Sequence, residues 1–558
     1  MIMMMKRRES TLSGSGSGRR LWQKKYCLLP ALRGWFAGWV VFCAVALLHG
    51  DAKEAGASAA AEDEADRPAN ESVLGLEQAI DEALENNLGL TTQRYRTINA
   101  DEEVLIEEAA FDFELFGSLG TSERRAAARS SSLDSAPVPE SENRRARVGV
   151  EKRLNTGASV TVDSSINRSS SNNNPARNPD YSADTGLSLR QPLLRGAGPK
   201  VNLAPLVRAR TSADRSLFEF RSEALDLIAE TEIAYWNLAH ARAKRELLET
   251  RLELAKTLLE ENRERDELGL ATRLEVLQAQ SEVVNQREAI ILAEQDIDDE
   301  QDALFRLLGS ESFLDAMDHE LHVRALPKDM GELPPLDQVV RETVRFDLEA
   351  EAQERAIEVQ RINRLLAKDE TKPNVDFVGD VSYLGRDQDG KTAYGGALSQ
   401  DGYNWNVGVE VRFPWGHRAA KAKDRQAKRN MRREKARLQD IKQEKALVAR
   451  NVWRAVRAGL QRINVTEQSL ELNREAFEQE RARYNSGQVA YRQVLESQRD
   501  YDQARVDNLA AIIETMRAKV ELSRVDGSIL ERNGFTWDEL DGMLVEPDFE
   551  RHPLLDAR

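Results

Sequence analysis

A chain of 558 residues in which 6% are aromatic, 31% are charged and the formal net charge is -16 suits elongated helices with thin apolar seams better than thick globular cores. The first 52 residues hold eight Lys/Arg against Glu9 and Asp51, so the remainder carries -22. Such an acidic body argues against nucleic acid as a partner, because phosphate binding needs an excess of cations.

The chain opens with a basic stretch and an apolar run from Trp35 to Leu48, followed by small residues at Gly50, Ala52, Ala57 and Ala59. Residues 1–52 therefore read as a secretory signal peptide; as a membrane anchor the run is shorter than the roughly 20 residues a spanning helix needs. Both cysteines, Cys27 and Cys43, lie in this segment, so a processed chain has no thiol for disulfides, metal or catalysis. Cys43 follows Val-Val-Phe rather than small residues, which speaks against a lipid-anchored cysteine. Residues 53–71, rich in Ala, Asp and Glu, read as a disordered leader.

From Leu76 to Ala110 one face carries Leu76, Ala79, Ile80, Ala83 and Leu84, a helical pattern. Four strand candidates follow, at 113–122, 147–154, 158–168 and 185–190, with polar tracts at 121–142 and 169–180. Pro199 to about Leu268 reads as one helix on the order of 100 Å long. A turn at Gly269 leads to a second helix ending at Leu308. Along it Val276, Val283, Ile290, Ile297 and Leu304 recur every seventh residue, a period that implies left-handed supercoiling. Pro327, Pro334 and Pro335 interrupt the chain.

The pattern then repeats. Leu336 to Lys368 reads as a helix, and Leu-Asp-Gln-Val-Val at its start echoes Leu-Glu-Gln-Ala-Ile at Leu76. Strands follow at 375–383 and 404–413, separated by a polar stretch from Arg386 to Gly402 whose Asp387-Gln388-Asp389-Gly390 reads as a turn. A long helix from about Arg418 to Asn485, a turn at Gly487 and a helix from Gln488 to Asp526 complete the unit; this last helix is expected to stack on the N-terminal one. The two halves align without a gap at an offset of 218 residues, from Tyr235 over Trp453, through Gly269 over Gly487, to Gly309 over Gly527. The domains expected are thus a first repeat at 72–330, a second at 331–530 and a C-terminal tail at 531–558. In the second half Ser497, Ala504, Ala511, Ala518 and Val525 form a small-residue column that permits close helix contact.

The strands carry a further message. Trp405, Val407, Val409, Val411 and Phe413 alternate with Asn404, Asn406, Gly408, Glu410 and Arg412, one face apolar and the other polar. A transmembrane β-barrel requires this pattern; a soluble sandwich shares it but favours short connections. An open sheet cannot stand in lipid with unpaired edges, so further copies must complete such a barrel.

Together these features resemble the TolC-type outer-membrane efflux proteins. The resemblance is carried by Leu268-Gly269-Leu270-Ala271-Thr272 with Glu275-Val276, by Ser486-Gly487-Gln488-Val489-Ala490 with Gln493-Val494, and by the strand exits Gln191-Pro192-Leu193-Leu194 and Arg412-Phe413-Pro414-Trp415. It implies a mainly α fold with a membrane β-barrel: duplicated coiled-coil hairpins forming a trimeric α-barrel continuous with a transmembrane β-barrel. It further implies a homotrimer set in outer-membrane lipid, with its helical part in the periplasm. Such a trimer passes substrates delivered by an inner-membrane pump and a periplasmic adaptor, in efflux or type I secretion. The turns Leu268 to Thr272 and Ser486 to Ala490 are, by that resemblance, adaptor-docking tips, and Glu275, Tyr484, Gln493 and Glu496 lie at the pore aperture. Of the two positions where the family carries paired carboxylates, here Gln493 and Glu496, only Glu496 is charged, and Val489 stands where a basic partner is seen.

Catalytic signatures are missing. His319 and His322 lack the i, i+4 spacing of a helical metal pair, Gly196-Ala-Gly-Pro-Lys200 lacks the spacing of a phosphate loop, and no Gly-x-Ser-x-Gly occurs. No enzyme and no cofactor is implied. The rival readings are a periplasmic adaptor, which needs flanking β domains around a single hairpin, and a coiled-coil scaffold without a pore.

Overall fold

The computed structural model describes residues 74–126, 136, 138–172, 177–309, 321–327, 330–399 and 402–544. The segments expected to be a signal peptide and a leader, His319 and the residues beyond 544 lie outside them. The first half contains helices α1 (Leu76–Asn86) and α2 (Leu88–Ala109), strands β1 (Phe113–Arg125), β2 (Glu140–Arg153), β3 (Ser159–Ser171) and β4 (Asp180–Pro192), then α3 (Pro199–Asn202), α4 (Ala204–Glu267) and α5 (Arg273–Leu308). The second contains α6 (Leu336–Arg345), α7 (Leu348–Asp369), β5 (Asn374–Asp387), α8 (Gly390–Ser399), β6 (Gly402–Arg412), α9 (Arg418–Asn485) and α10 (Tyr491–Asp526), with the short α11 (Ile529–Arg532) and α12 (Trp537–Gly542) after them.

Three helices expected to be continuous are broken. Asn87 stands between α1 and α2, its side chain accepting from the amides of Gly89 and Leu90. Asp347 does the same between α6 and α7, accepting from Glu349 N at 3.1 Å. Both act as N-caps, which end one helix by starting the next. The helix from Pro199 pauses at Leu203: Pro205 has no N–H to give and its ring crowds the preceding turn.

The long rods alternate with stacked ones. α4 packs against α5 and α2 along one side and against α10 and α7 along the other, and α9 packs against α10 and α7. α5 ends at the α1–α2 break, where Asn87 Nδ2 donates to Leu307 O at 3.0 Å, so α2 continues the line of α5. Gly527, closing α10, lies against Phe346 at the α6–α7 break, so α7 continues α10. The Gln488–Asp526 helix thus stacks within its own half, contrary to the expectation that it meets the N-terminal helix. Each hairpin closes on the broken helix of its own repeat because the caps are local.

Burial is thin, as a wall of single helices demands. Val276, Val283, Ile297 and Leu304 of the heptad column are buried, as are Ala504 and Ala511 of the small-residue column. Gly459 on α9 takes this further: a Cβ there would come within 3.1 Å of Thr515 Cβ on α10. The thickest core joins α1, α4, the end of α5 and α11, around Ile80, Phe220, Tyr235 and Leu308. The two repeats anchor their inter-helix segments alike. Tyr235 Oη donates to Leu74 O at 2.9 Å and accepts from Arg324 N at 2.8 Å, while its equivalent Trp453 donates from Nε1 to Pro334 O at 2.8 Å.

Among the described residues the strands form one six-stranded sheet in the order β1 to β6, every neighbour antiparallel. The halves join at β4 and β5, with Leu187 opposite Val381. All four strands of the first half therefore lie in the sheet. β2 and β4 begin earlier than hydrophobic alternation suggests, at Glu140 and Asp180. There both faces are polar and ion pairs such as Arg125–Glu140 and Arg386–Asp180 line the paired backbones. The polar stretch between β5 and β6 bends after Asp387, where Asp389 N donates to Asp387 Oδ1 at 2.9 Å, and then holds α8, whose first turn is capped by Asp389 accepting from Thr392 N at 3.1 Å.

Candidate functional site

The order of rods and strands agrees across the molecule: α2 feeds β1, β4 returns to α4, α7 feeds β5 and β6 returns to α9. The sheet is thus a direct extension of the helical wall. The seam is welded where β4 turns into α4. Asn202 Nδ2 donates to Gly196 O and Gly198 O at 2.8 and 3.0 Å, and Arg153 from β2 donates to Asn202 Oδ1 at 3.2 Å. Gly196 N donates to Asp369 of α7 at 2.7 Å. Gly157 (φ 90°) brings the β2–β3 turn so close that a Cβ would sit 2.6 Å from Asn202 Nδ2. The glycines of Gly196-Ala-Gly198 thus serve this junction.

The two faces of the sheet are chemically opposite. Pairings such as Leu115 with Val150, Val162 with Leu187, Leu187 with Val381 and Val381 with Trp405 put most of the apolar residues of every strand on one side. Among the described residues nothing covers most of that side: Leu115 is 75% exposed, Trp405 66% and Val409 59%. The other side is laced by charge, with Arg147 on Asp163 at 2.9 Å, Arg190 on Asp376 and Glu410 at 2.8 and 3.0 Å, and Asn406 on Asp380 at 3.1 Å. No helix among the described residues is long and apolar enough to cross a membrane.

At the far end of the rods the two hairpin turns repeat one geometry. Gly269 (φ 71°) and Gly487 (φ 76°) adopt the left-handed conformation that glycine alone accepts cheaply. Leu270 N returns to Arg265 O at 2.7 Å and Gln488 N to Arg483 O at 2.9 Å. An added Cβ on either glycine would meet nothing within 4 Å, and Leu268, Leu270, Thr272, Ser486, Gln488 and Ala490 are exposed, with Ala271 and Val489 half-buried. Thr272 caps α5, and Glu275 completes the box by accepting from Thr272 N at 2.7 Å. One Glu275 oxygen is therefore engaged in its own helix start.

Tyr484 lies deeper than its place beside a turn suggests. It is buried, donates through Oη to Asn262 Oδ1 at 2.7 Å and packs 5.8 Å from the Tyr491 ring. Arg265 lies over its ring at 4.1 Å from the centroid and donates to Tyr484 O at 3.2 Å. With Arg481 on Glu261 at 2.9 Å and Arg499 on Glu282 at 3.0 Å, these contacts lock the two hairpins of one chain together. Burial pushes the Tyr491 phenol up to about 12. Higher up, burial raises the Asp502 carboxyl and lowers the Arg251 guanidinium although the two pair at 3.2 Å; desolvation outweighs their attraction. Gln493 and Glu496 stand exposed on the first two turns of α10, and Glu496 has no ion-pair partner among the described residues. Sequence reasoning missed Arg265 and Asn262. A basic residue four positions before each turn glycine, Arg265 and Arg483, is the signal that marks the first. His322 meets Arg242, Nδ1 to Nη1 at 3.2 Å.

A charge-laced, apolar-backed sheet continuing into a wall of paired helical hairpins defines the class of outer-membrane channels. A sequence description of the outer membrane efflux protein family matches residues 124–310 and 345–528, and the chain belongs to that family. Among solved structures, it is similar to the CmeC outer membrane channel of Campylobacter jejuni at 16% identity, over 85% of this chain and 90% of that one, TM-score 0.63. It is also similar to VceC of Vibrio cholerae (16%, 81% and 96%, TM-score 0.60) and to the open state of the MtrE outer membrane channel of Neisseria gonorrhoeae (17%, 81% and 88%, TM-score 0.58). At these identities the likeness is one of fold. No curated relative matches the sequence.

Proposed function

We propose that three copies of this chain close into a passive exit duct of the outer membrane, serving a tripartite efflux or type I secretion system. The observation that carries the reading is the bare-edged sheet with one exposed apolar face. Its unpaired β1 and β6 edges are costly in lipid and are satisfied if β6 of one copy pairs with β1 of the next. From Tyr403 to Phe413 is about 33 Å along the strand and about 25 Å along the axis at a tilt near 40°, the height of an outer-membrane apolar band.

Widths support the same closure. Twelve helices at about 9–10 Å between axes give a circumference of about 110–120 Å. Eighteen strands, six from each copy, at about 4.8 Å spacing and a tilt near 40° give about 113 Å. Twelve strands would give only about 75 Å by the same arithmetic. In this duct the apolar face meets lipid and the charge-laced face lines a water-filled bore. The helical tube reaches into the periplasm, and the tips at Leu268–Thr272 and Ser486–Ala490 are offered to an adaptor. Glu275, Gln493 and Glu496 ring the entrance with Tyr484 buried behind them between the hairpins, and each copy adds the carboxylate of Glu496. Energy is supplied by an inner-membrane pump, and opening is a parting of the tip contacts.

The test is the mass of the detergent-extracted protein together with current in a planar bilayer. A trimer that conducts ions is expected; a monomer without conductance refutes the duct.

A further inference from the structure

We propose that α8 lies on the outside of the barrel wall, seated in the outer-leaflet lipid, where Tyr394 and Leu398 meet acyl chains. The inference rests on the barrel reading above and adds a lipid-facing helix to it.

The face on which α8 sits is fixed by register. Ile166 pairs with Ala183 and Ala183 with Gly385, a row on the same side of the sheet as Val162, Leu187 and Val381. α8 lies on this row. A Cβ at Gly385 would overlap the carbonyl of Ala393 and come within 2.8 Å of Gly396 C, Gly390 lies over Tyr181 and Ile166, and Ala183 is only 2% exposed. The small residues at 183 and 385 leave the room the helix occupies.

What α8 covers explains why a helix is useful there. One row further along the same face, Ser164 and Thr185 would put two hydroxyls against lipid. They bond to each other at 2.8 Å, and Tyr394 adds a third hydroxyl at 3.3 Å from Ser164. Polar groups that are paired and covered cost far less in an apolar medium than bare ones.

The composition of α8 matches a lipid seat better than a watery one. Ala393, Gly396 and Ala397 face the sheet, Leu398 on the outer side is 61% exposed, and Tyr394, on the flank with its hydroxyl turned to Ser164, is 39% exposed. A helix resting on a soluble surface carries a polar outer stripe; here Lys391 is the only charged residue between Gly390 and Ser399. It sits in the first turn, where a long aliphatic stem lets the ammonium reach the headgroups. Tyr181, Tyr383, Tyr394 and Tyr403 gather at this end of the strands, the residue type favoured at a membrane boundary.

Site-directed spin labelling tests the proposal, since Cys27 and Cys43 are the only cysteines and a background without them is simple to make. Leu398→Cys, Val407→Cys and Asn406→Cys are labelled in the full-length protein reconstituted in phospholipid vesicles, and collisions with oxygen and with a water-soluble nickel chelate are measured. The expected result is high oxygen and low nickel accessibility at 398 and 407, with the reverse at 406. Nickel access at 398 with protection at 407 overturns the placement of α8 and leaves the barrel standing. Nickel access at both 398 and 407 overturns the barrel and the helix placement together.

Discussion

Tyr484→Phe isolates one bond between the hairpins. The ring stays, and with it the Arg265 contact at 4.1 Å and the packing on Tyr491, but Asn262 Oδ1 loses its donor in a fully buried setting. A neutral buried hydrogen bond contributes about 1 kcal/mol net, and an orphaned acceptor raises the loss to about 1–3 kcal/mol. If entry to the duct opens by separating the α4–α5 and α9–α10 tips, that bond is absent from the open state and the whole loss falls on the closed one. A bias of 1–2 kcal/mol multiplies the open-to-closed ratio about 5- to 30-fold. Single-channel recording reads this as a rise in open probability at unchanged open-state current. Thermal unfolding of the same variant supplies the control: a lower melting temperature with wild-type gating means that the bond is equally present in both states, and refutes the reasoning.

Gly309→Ala and Gly527→Ala, equivalent in the repeat, are expected to differ. Both strain a left-handed residue by about 1–2 kcal/mol, but only at 309 does the new methyl run into backbone, 2.8 Å from Asn86 C; overlap of that kind adds about 1–3 kcal/mol, visible as a lower melting temperature and poorer trimer yield. His240 titrates below its ordinary 6.5, through burial first and then Arg517 and Lys244, with Asp296 opposing. The folded chain therefore takes the proton later than the unfolded one, so stability is intact above 6.5 and falls as pH drops from there toward the folded value. The melting-temperature loss between about pH 7.5 and about pH 5.5 should shrink in His240→Asn. Val409→Arg on the exposed apolar face should cost about 2–4 kcal/mol in lipid and reduce assembled trimer in the membrane fraction. Gly408→Arg on the opposite face, where nothing lies within 4 Å of the new Cβ, should assemble normally and shift ion selectivity toward anions.

Much of the architecture is legible because it obeys simple periods. The heptad column from Val276 to Leu304 and the turn glycines 269 and 487 announce supercoiled hairpins, and the alternation from Asn404 to Phe413 announces a two-faced strand. What escapes is whatever lacks a period. The breaks at Asn87 and Asp347 interrupt helices whose apolar spacing runs on regardless, and each depends on one short polar side chain accepting from amides at the start of the next helix. α8 hides because Gly-Lys-Thr-Ala-Tyr-Gly-Gly-Ala-Leu-Ser has glycines that argue against a helix and gains its stability from the sheet beneath. At the tips, the bond from Tyr484 to Asn262 joins residues 222 positions apart; nothing local in either segment encodes that meeting.

The meander carries a parity rule. Each strand group leaves a helix and must come back to one on the same side, and every neighbouring pair runs in opposite directions, so strands enter or leave a half only two at a time. With four in the first half and two in the second, the gauge of the sheet is set independently of the number of rods below it. If the sheet closes into the proposed barrel, a lineage built on this plan adjusts its bore by whole hairpins, and a single-strand deletion leaves the chain at the end of the sheet away from its helices.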